Sequence, residues 1–253
     1  MRIEPDTWLA GIFGYPTFKV SRGADPSQRL SPSLSVRTLC ESACGQAAFF
    51  YAKIPTARVD DVRMLGAAGF TVVDVNVTFE REPAELPDWQ AGHGAIIRDL
   101  LPADFGAVCD IAASCFVYSR FHLDPLIPNT LANAVKRAWI ESYCHRRRGE
   151  CLLVAELDGK VVGFNAILAT AINGKSVRVI DLIGVDSACQ GRGVGRQLVN
   201  NFVHSSAGRA AAVRVGTQAA NVPSMRLYER CGFNILDTMY VMHAHVLDGE
   251  VLR

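Results

Sequence analysis

The period of the apolar positions changes repeatedly along this chain, and each change marks a switch between strand and helix. Runs near residues 11–20 and 70–79 read as strands. Between them lies helical spacing near 36–52 (Val36, Leu39, Cys40, Ala43, Ala47, Phe50), with a second helix near 58–68. Residues 83–94 mix prolines, acids and a glycine without periodicity, which predicts a linker. The chain is therefore expected to divide into a small N-terminal α/β unit, residues 1–90, and a larger unit, residues 95–253.

The larger unit is more regular. Ile96 to Arg98 reads as a short strand, and Phe105, Val108, Ile111, Ala112, Cys115 and Phe116 follow at helical spacing of three and four. Asn129 or Thr130 caps a helix carrying Leu131, Ala134, Val135, Ala138, Trp139 and Tyr143, closed by Gly149. Cys151–Glu156 and Val161–Leu168 form a hairpin through Asp158-Gly159, a pair suited to the positive φ angles of a tight turn. Residues 175–185 are a strand, and Val194, Leu198, Val199, Phe202 and Val203 line one side of a helix. Ala211–Val215 is another strand. Asn221 caps a helix with Pro223 in its first turn and Met225, Leu227, Tyr228 and Cys231 along it, stopped by Gly232. Phe233 to His245 supplies the last strands. A hairpin followed by alternating strands and helices predicts an α/β protein with a mixed sheet and helices on both faces.

Composition narrows the function classes. The chain has 253 residues, 49% of them hydrophobic and 20% charged, with a net charge of +1, as in an ordinary globular protein. That balance does not suit a nucleic-acid partner, and Arg146-Arg147-Arg148 reads as a solvated helix end. The N-terminus carries no basic and apolar leader, and no apolar run approaches the roughly eighteen residues of a spanning helix. The expectation is a cytoplasmic protein without a membrane partner. Eight cysteines form no paired CxxC set, and Cys40 and Cys44 lack two further ligands, so no metal is expected. His243 and His245 alternate on the last strand and share a face, as a satisfied or exposed pair.

Between strand 175–185 and the following helix lies Gln190-Gly191-Arg192-Gly193-Val194-Gly195. Amides of such a turn and of the first helical turn have no intrahelical acceptor and carry the positive end of the helix dipole, so they suit a pyrophosphate. Glycines at 191, 193 and 195 keep Cβ atoms out of the way, while Gln190, Arg192 and Arg196 add donors at the rim. A dinucleotide fingerprint fails by one residue, because its third glycine would fall on Arg196. Gly174-Lys175-Ser176 is no phosphate loop either, since Ala169 stands where its first glycine belongs; it reads as a hairpin tip.

This loop resembles the acyl-CoA loop of the GNAT superfamily of N-acyltransferases. Asn221, Tyr228 and Gly232-Phe233 follow in the order of that superfamily's later motif, and the resemblance covers about residues 95–247. A narrower resemblance spans nearly the whole chain. Ile3–Trp8, Phe13-Gly14, Gly69-Phe70, Ser119-Arg120-Phe121, Trp139–Glu141 and Thr217-Gln218 look like the dTDP-4-amino-4,6-dideoxygalactose (dTDP-fucosamine) N-acetyltransferases. The resemblance implies a GNAT fold with a small N-terminal α/β domain, acetyl-CoA as cosubstrate, and a nucleotide-linked amino sugar bound near the junction. The full QGRGVG loop differs from the shortened loop of enterobacterial members, which leaves the sugar open.

Acyl transfer to an amine needs no protein nucleophile, only an amine about 3 Å from the carbonyl carbon, an oxyanion donor and an acid for the thiolate. The resemblance points Tyr228 at the sulfur; a phenol with a pKa of about 10 stays protonated where a thiol of about 8.5 begins to ionise. Amides of Ile183, Gly184 and Val185, at the splayed end of their strand, are candidate oxyanion and pantetheine donors, and Asn221 holds the pantetheine from the other side. Asp181, two residues before Ile183 and so expected on the same face, either accepts the amine's proton or makes a structural hydrogen bond. Arg120 is placed to clamp a diphosphate and Phe121 to stack on a base or sugar, or they are a surface arginine beside a packed ring. Trp8 and Trp139 read as structural. The acceptor stays open between a sugar nucleotide and a protein, polyamine or antibiotic amine, as does a non-catalytic acyl-CoA-binding role; a homodimer is admitted.

Overall fold

A computed structural model describes residues 1–22, 34–86 and 94–252. In chain order its elements are β1 (Arg2–Pro5), α1 (Thr7–Phe13), β2 (Thr17–Ser21), α2 (Val36–Ala43), β3 (Ala48–Pro55), α3 (Val59–Ala67) and β4 (Thr71–Arg81). Next come β5 (Ile96–Asp99), α4 (Phe105–Ala112), α5 (Asn129–Cys144), β6 (Cys151–Leu157), β7 (Lys160–Ile172) and β8 (Lys175–Val185). Then follow α6 (Val194–Ser205), β9 (Ala212–Gln218), α7 (Val222–Arg230), β10 (Asn234–Leu247) and β11 (Glu250–Leu252).

The strands form one mixed sheet in the order β1-β2-β3-β10-β4-β9-β8-β7-β6-β5, with β11 on the end of β10. Only β2–β3 and β8–β9 are parallel among the described pairs. The boundary expected at 83–94 does not divide this sheet. β10, from the C-terminal half, runs between β3 and β4, and β4 in turn pairs with β9. Of the expected linker, residues 87–93 lie outside the described residues.

Local chemistry accounts for most elements. Three hairpins turn on Asp158-Gly159, Asn173-Gly174 and Asp248-Gly249, every one of these residues at positive φ. Two expectations give way in the N-terminal half. The strand near 11–20 is instead α1 followed by β2, because the Asp6 side chain accepts the Leu9 amide at 2.9 Å and Gly14 closes the helix in the left-handed region. The helix near 36–52 stops at Cys44, and Ala48–Pro55 is strand β3. A short continuous apolar run fits a buried strand as well as a helix, and left-handed Cys44 and Gly45 break the spacing between them.

Helices cover both faces. Against one lie α6 and α7, with Val199, Phe202, Val203, Ile180, Val215 and Phe79 in a common core. On the other, α4 and α5 bury Val108, Ile111, Ile140, Phe164, Ala166 and Leu182. α1 joins α5 through Leu9, Phe13, Phe121, Ala132 and Val135, so the N-terminal segment is packed onto the C-terminal half. Burial of this kind contributes about 25 cal/mol per Å² of apolar surface. No helix among the described residues is long and apolar enough to cross a membrane.

Candidate active site

β8 and β9 pair only from Val177–Ile180 to Ala212–Val215. Beyond that point β9 keeps only β4, and β8 keeps only β7, so two unpaired backbone edges diverge. Asp181 is where they part. Ala166 pairs with Leu182 while Ile167 pairs with Ile180, which leaves Asp181 as the extra residue of a β-bulge. The bulge also reverses the alternation of side chains. Ile180 belongs to the α6–α7 core, Leu182 to the α4–α5 core, and Ile183 packs on the α6 side again.

A cavity of about 740 Å³ fills the gap. Ile183, Gly184 and Val185 form one wall and Gly216, Thr217 and Gln218 the other. Glycine is obligatory at 184, since a Cβ there would lie 2.8 Å from Cys115 Sγ and from the Phe164 ring. At the mouth, Gly191 (φ 75°) and Gly193 (φ 84°) take the left-handed region, and Gly193 caps α6. The first helical amide bond returns from Gln197 to Gly193, so the amides before it have no intrahelical acceptor. Gln190, Gly191, Val194 and Gly195 line the cavity; Arg192 and Arg196 are exposed outside that lining. Gln190 donates through Nε2 to the Val185 carbonyl at 3.1 Å.

α7 closes the cavity from the far side. Asn221 Oδ1 accepts the Ser224 amide at 3.3 Å, and among the described residues its Nδ2 has no partner. Tyr228 is 2% exposed, lies between Phe79 and Phe233 with ring centroids 5.7 and 6.1 Å away, and lines the cavity. Burial pushes its hydroxyl pKa well above that of a free phenol.

Asp181 corrects one expectation. Its Oδ2 accepts from Trp139 Nε1 and Tyr143 OH, both at 2.8 Å, and from Arg148 Nε at 2.6 Å; Oδ1 accepts from Arg148 Nη2 at 3.1 Å. Three donors crowd Oδ2 and one reaches Oδ1, so the carboxylate is a junction between β8, α5 and the following turn. It does not share the face of Ile183, because the bulge turns it toward α5. Gly149 completes the junction, since a Cβ there would run into the Tyr143 ring.

The opposite end of the cavity is made of side chains. The Arg120 guanidinium lies between the rings of Tyr51 and Phe121, 4.1 and 4.3 Å from their centroids. Phe121 is 2% exposed and packs on Phe13, so it has no free face for a base; its ring is a platform for Arg120. Arg120 Nη1 lies 3.3 Å from His243 Nε2, and His243 Nδ1 lies 2.6 Å from Asp124 Oδ2. His245 Nε2 meets the same oxygen at 2.8 Å. With a carboxylate that only accepts, His243 carries its proton on Nδ1 and accepts from Arg120 on Nε2. Burial, reinforced by Arg120 and opposed by Asp124, lowers the His243 pKa to about 4. Desolvation raises the Asp124 pKa, but the hydrogen bonds from the two histidines outweigh it and hold the carboxyl well below the usual range. Burial lowers Arg120 to about 10, which leaves it charged at neutral pH. Asp124, His243 and His245 bring three potential metal-ligand atoms within 4.8 Å, yet 2.6 and 2.8 Å are hydrogen-bond separations.

Sequence reasoning reached the loop, Asn221, Tyr228 and Arg120 but passed over Tyr51, Lys53, Asp124 and Lys136. Lys136 left a signal: it falls on the buried stripe of α5 with Ala132, Val135, Ile140 and Tyr143. A lysine at such a position faces either a partner or a cavity.

Among known proteins, a family model described as the acetyltransferase (GNAT) family matches residues 107–233. The chain is 24% identical to a dTDP-fucosamine acetyltransferase of Escherichia coli O6:H1, over 95% of this chain and 97% of that protein. It is 28% identical to the spore coat polysaccharide biosynthesis protein SpsD of Bacillus subtilis over 56% of this chain; the match spans about half of that relative, 48%. A solved GCN5-related N-acetyltransferase from Kribbella flavida superposes with a TM-score of 0.56 at 16% identity, covering 90% of this chain and 80% of that one, a likeness of fold.

Proposed function

The chain belongs to the acetyltransferase (GNAT) family, and from that premise we propose that it moves the acetyl group of acetyl-CoA to the amine of a nucleotide-linked amino sugar, of the dTDP-4-amino-4,6-dideoxy class. One observation carries the reading: a single cavity runs from a helix N-terminus behind left-handed glycines, along two unpaired strand edges, to a stacked and buffered arginine. The likeness to the dTDP-fucosamine acetyltransferase over nearly the full length of both chains supports the acceptor class.

The loop fits a pyrophosphate, because a Cβ position at Gly191 faces open space and the first-turn amides of α6 lack acceptors. Acetyl-CoA, when bound, supplies the activated acyl group. The amides of Gly191, Gly193, Val194 and Gly195 hold its phosphates, with Gln190, Arg192 and Arg196 around the rim. The free edge at Ile183, Gly184 and Val185 holds the pantetheine and polarises the carbonyl, and Asn221 contributes from α7. Tyr228 returns a proton to the departing sulfur; burial holds the phenol in the protonated form until charge develops on the sulfur beside it. Arg120 takes the acceptor's diphosphate, held in place by Tyr51, Phe121 and His243. Asp181 orients Trp139, Tyr143 and Arg148 rather than taking a proton.

Calorimetry with acetyl-CoA tests the first half, and thiol release with dTDP-4-amino-4,6-dideoxygalactose, a lysine peptide or spermidine tests the second. Micromolar binding with turnover on the sugar nucleotide alone is expected. Absence of binding removes the reading, and preference for the peptide or polyamine replaces its acceptor.

A further inference from the structure

Transfer leaves one proton unassigned, the one lost by the acceptor nitrogen, and the Asp181 carboxylate is already ion-paired with Arg148 and held by Trp139 and Tyr143. Of the other ionisable groups on the cavity wall, arginines hold their protons, Tyr228 serves as acid, and burial pushes the Cys115 thiol up to about 12. Besides exposed Tyr118 and the Cys189 thiol, two amines are left. Lys53, on β3, is also lowered to about 8, by desolvation and then by Arg120 and Lys19, but its side chain stays open to solvent. Lys136, on α5, is 8% exposed and lines the cavity. Among the described residues its nitrogen makes no hydrogen bond and no ion pair; it lies over the rings of Phe116 and Trp139, 4.8 and 5.2 Å from their centroids.

We propose that Lys136 is the catalytic base that accepts the proton of the acceptor amine, an inference that rests on the acetyl-transfer reading. The charged and titratable groups facing it are Arg120, Lys53, Cys115, His122 and Asp181. Asp181 alone among them is an anion, and Arg148 already neutralises it. A buried ammonium facing two cations without a counterion loses its proton readily: burial first, then Arg120, bring Lys136 down to about 8. The aromatic rings offset part of that. A neutral amine then offers one lone pair toward the cavity, as a buried lysine base requires. The chemistry balances. As the C–N bond forms and the C–S bond breaks, the acceptor's proton passes to Lys136 Nζ and the Tyr228 proton to sulfur; water then restores both groups.

Two readouts test this. Lysine ε-carbon NMR of the labelled protein is expected to give two resonances titrating near pH 8, of Lys53 and Lys136, and Lys136→Arg should remove one of them; a midpoint above pH 10 for the resonance that Lys136→Arg removes overturns the proposal without reference to activity. In the pH profile of kcat/KM with dTDP-4-amino-4,6-dideoxygalactose, wild type is expected to rise through pH 8. Lys136→Met and Lys136→Arg should both lose that limb and about a hundredfold in rate, with acetyl-CoA affinity and melting temperature near wild type. Lys136→Arg acting within fivefold of wild type would mean that positive charge alone suffices, and the base is then wrong. If wild type binds no acetyl-CoA, the transfer reading falls and takes the base with it; Arg rescue in an active enzyme removes only the base.

Discussion

At one end of the cavity the wall is backbone, a glycine turn and a helix start contiguous in the chain; at the other it is side chains drawn from β3, α5, β10 and the segment after α4. The first needs only positive φ at two glycines and unpaired amides, so it tolerates changes in side chain nearly everywhere. The second stands or falls with individual residues, because Asp124 and His243 are buried and each is satisfied by the next member of the chain that ends at half-buried Arg120. A general cradle is thereby joined to a specific one, and the two should fail independently.

The sharpest break is at the specific end. Asp124→Ala strips the acceptor from two buried histidines and should cost about 3–5 kcal/mol of stability in urea denaturation; a loss under 1 kcal/mol would show that the network holds nothing. Between the ends, Tyr228→Phe should lower kcat about a hundredfold while calorimetry finds acetyl-CoA affinity unchanged. Unchanged turnover would take the acid role away from it. Acid should also reach the specific end first. His243 goes from an ordinary 6.5 to about 4 on folding, so the unfolded chain binds its proton first as pH falls. Its stability contribution is complete above pH 6.5 and is lost downward toward pH 4. By pH 5 the loss is roughly 2 kcal/mol, and a flat stability curve over that range, or one unaltered in His243→Gln, contradicts the assigned tautomer.

Smaller effects separate the two ends cleanly. Arg120→Met should raise the acceptor KM about tenfold, as loss of one charged contact does, with acetyl-CoA affinity intact. Gly193→Ala, which puts a Cβ at φ 84°, should cost about 1 kcal/mol and weaken acetyl-CoA several-fold without moving the acceptor KM. If either variant shifted both parameters equally, the cavity would behave as one site rather than two.

The loop was legible because everything it needs is local: a strand run, three glycines and a helical stripe, read in order. Asn221 and Tyr228 were legible through the resemblance of Asn221, Tyr228 and Gly232-Phe233 to the superfamily's later motif. Asp181 was misplaced because period-two alternation assumes a regular ladder, whereas one extra residue between Ile180 and Leu182 turns its carboxylate toward Trp139. The sequence leaves Phe121 open between stacking and packing because nothing beside it in the chain announces Phe13, 108 positions earlier by number, as its neighbour.

Short-range chemistry was enough to specify the hairpins, the capped helices and the anion-ready turn, since each depends on φ preferences and amides a few residues apart. Long-range pairing alone settled where β8 leaves β9, which face Asp181 takes, and which cations meet across the cavity. β10 must thread between β3 and β4 before His243 can reach Asp124 and hold Arg120, and contacts across more than a hundred residues leave no periodic trace in the chain.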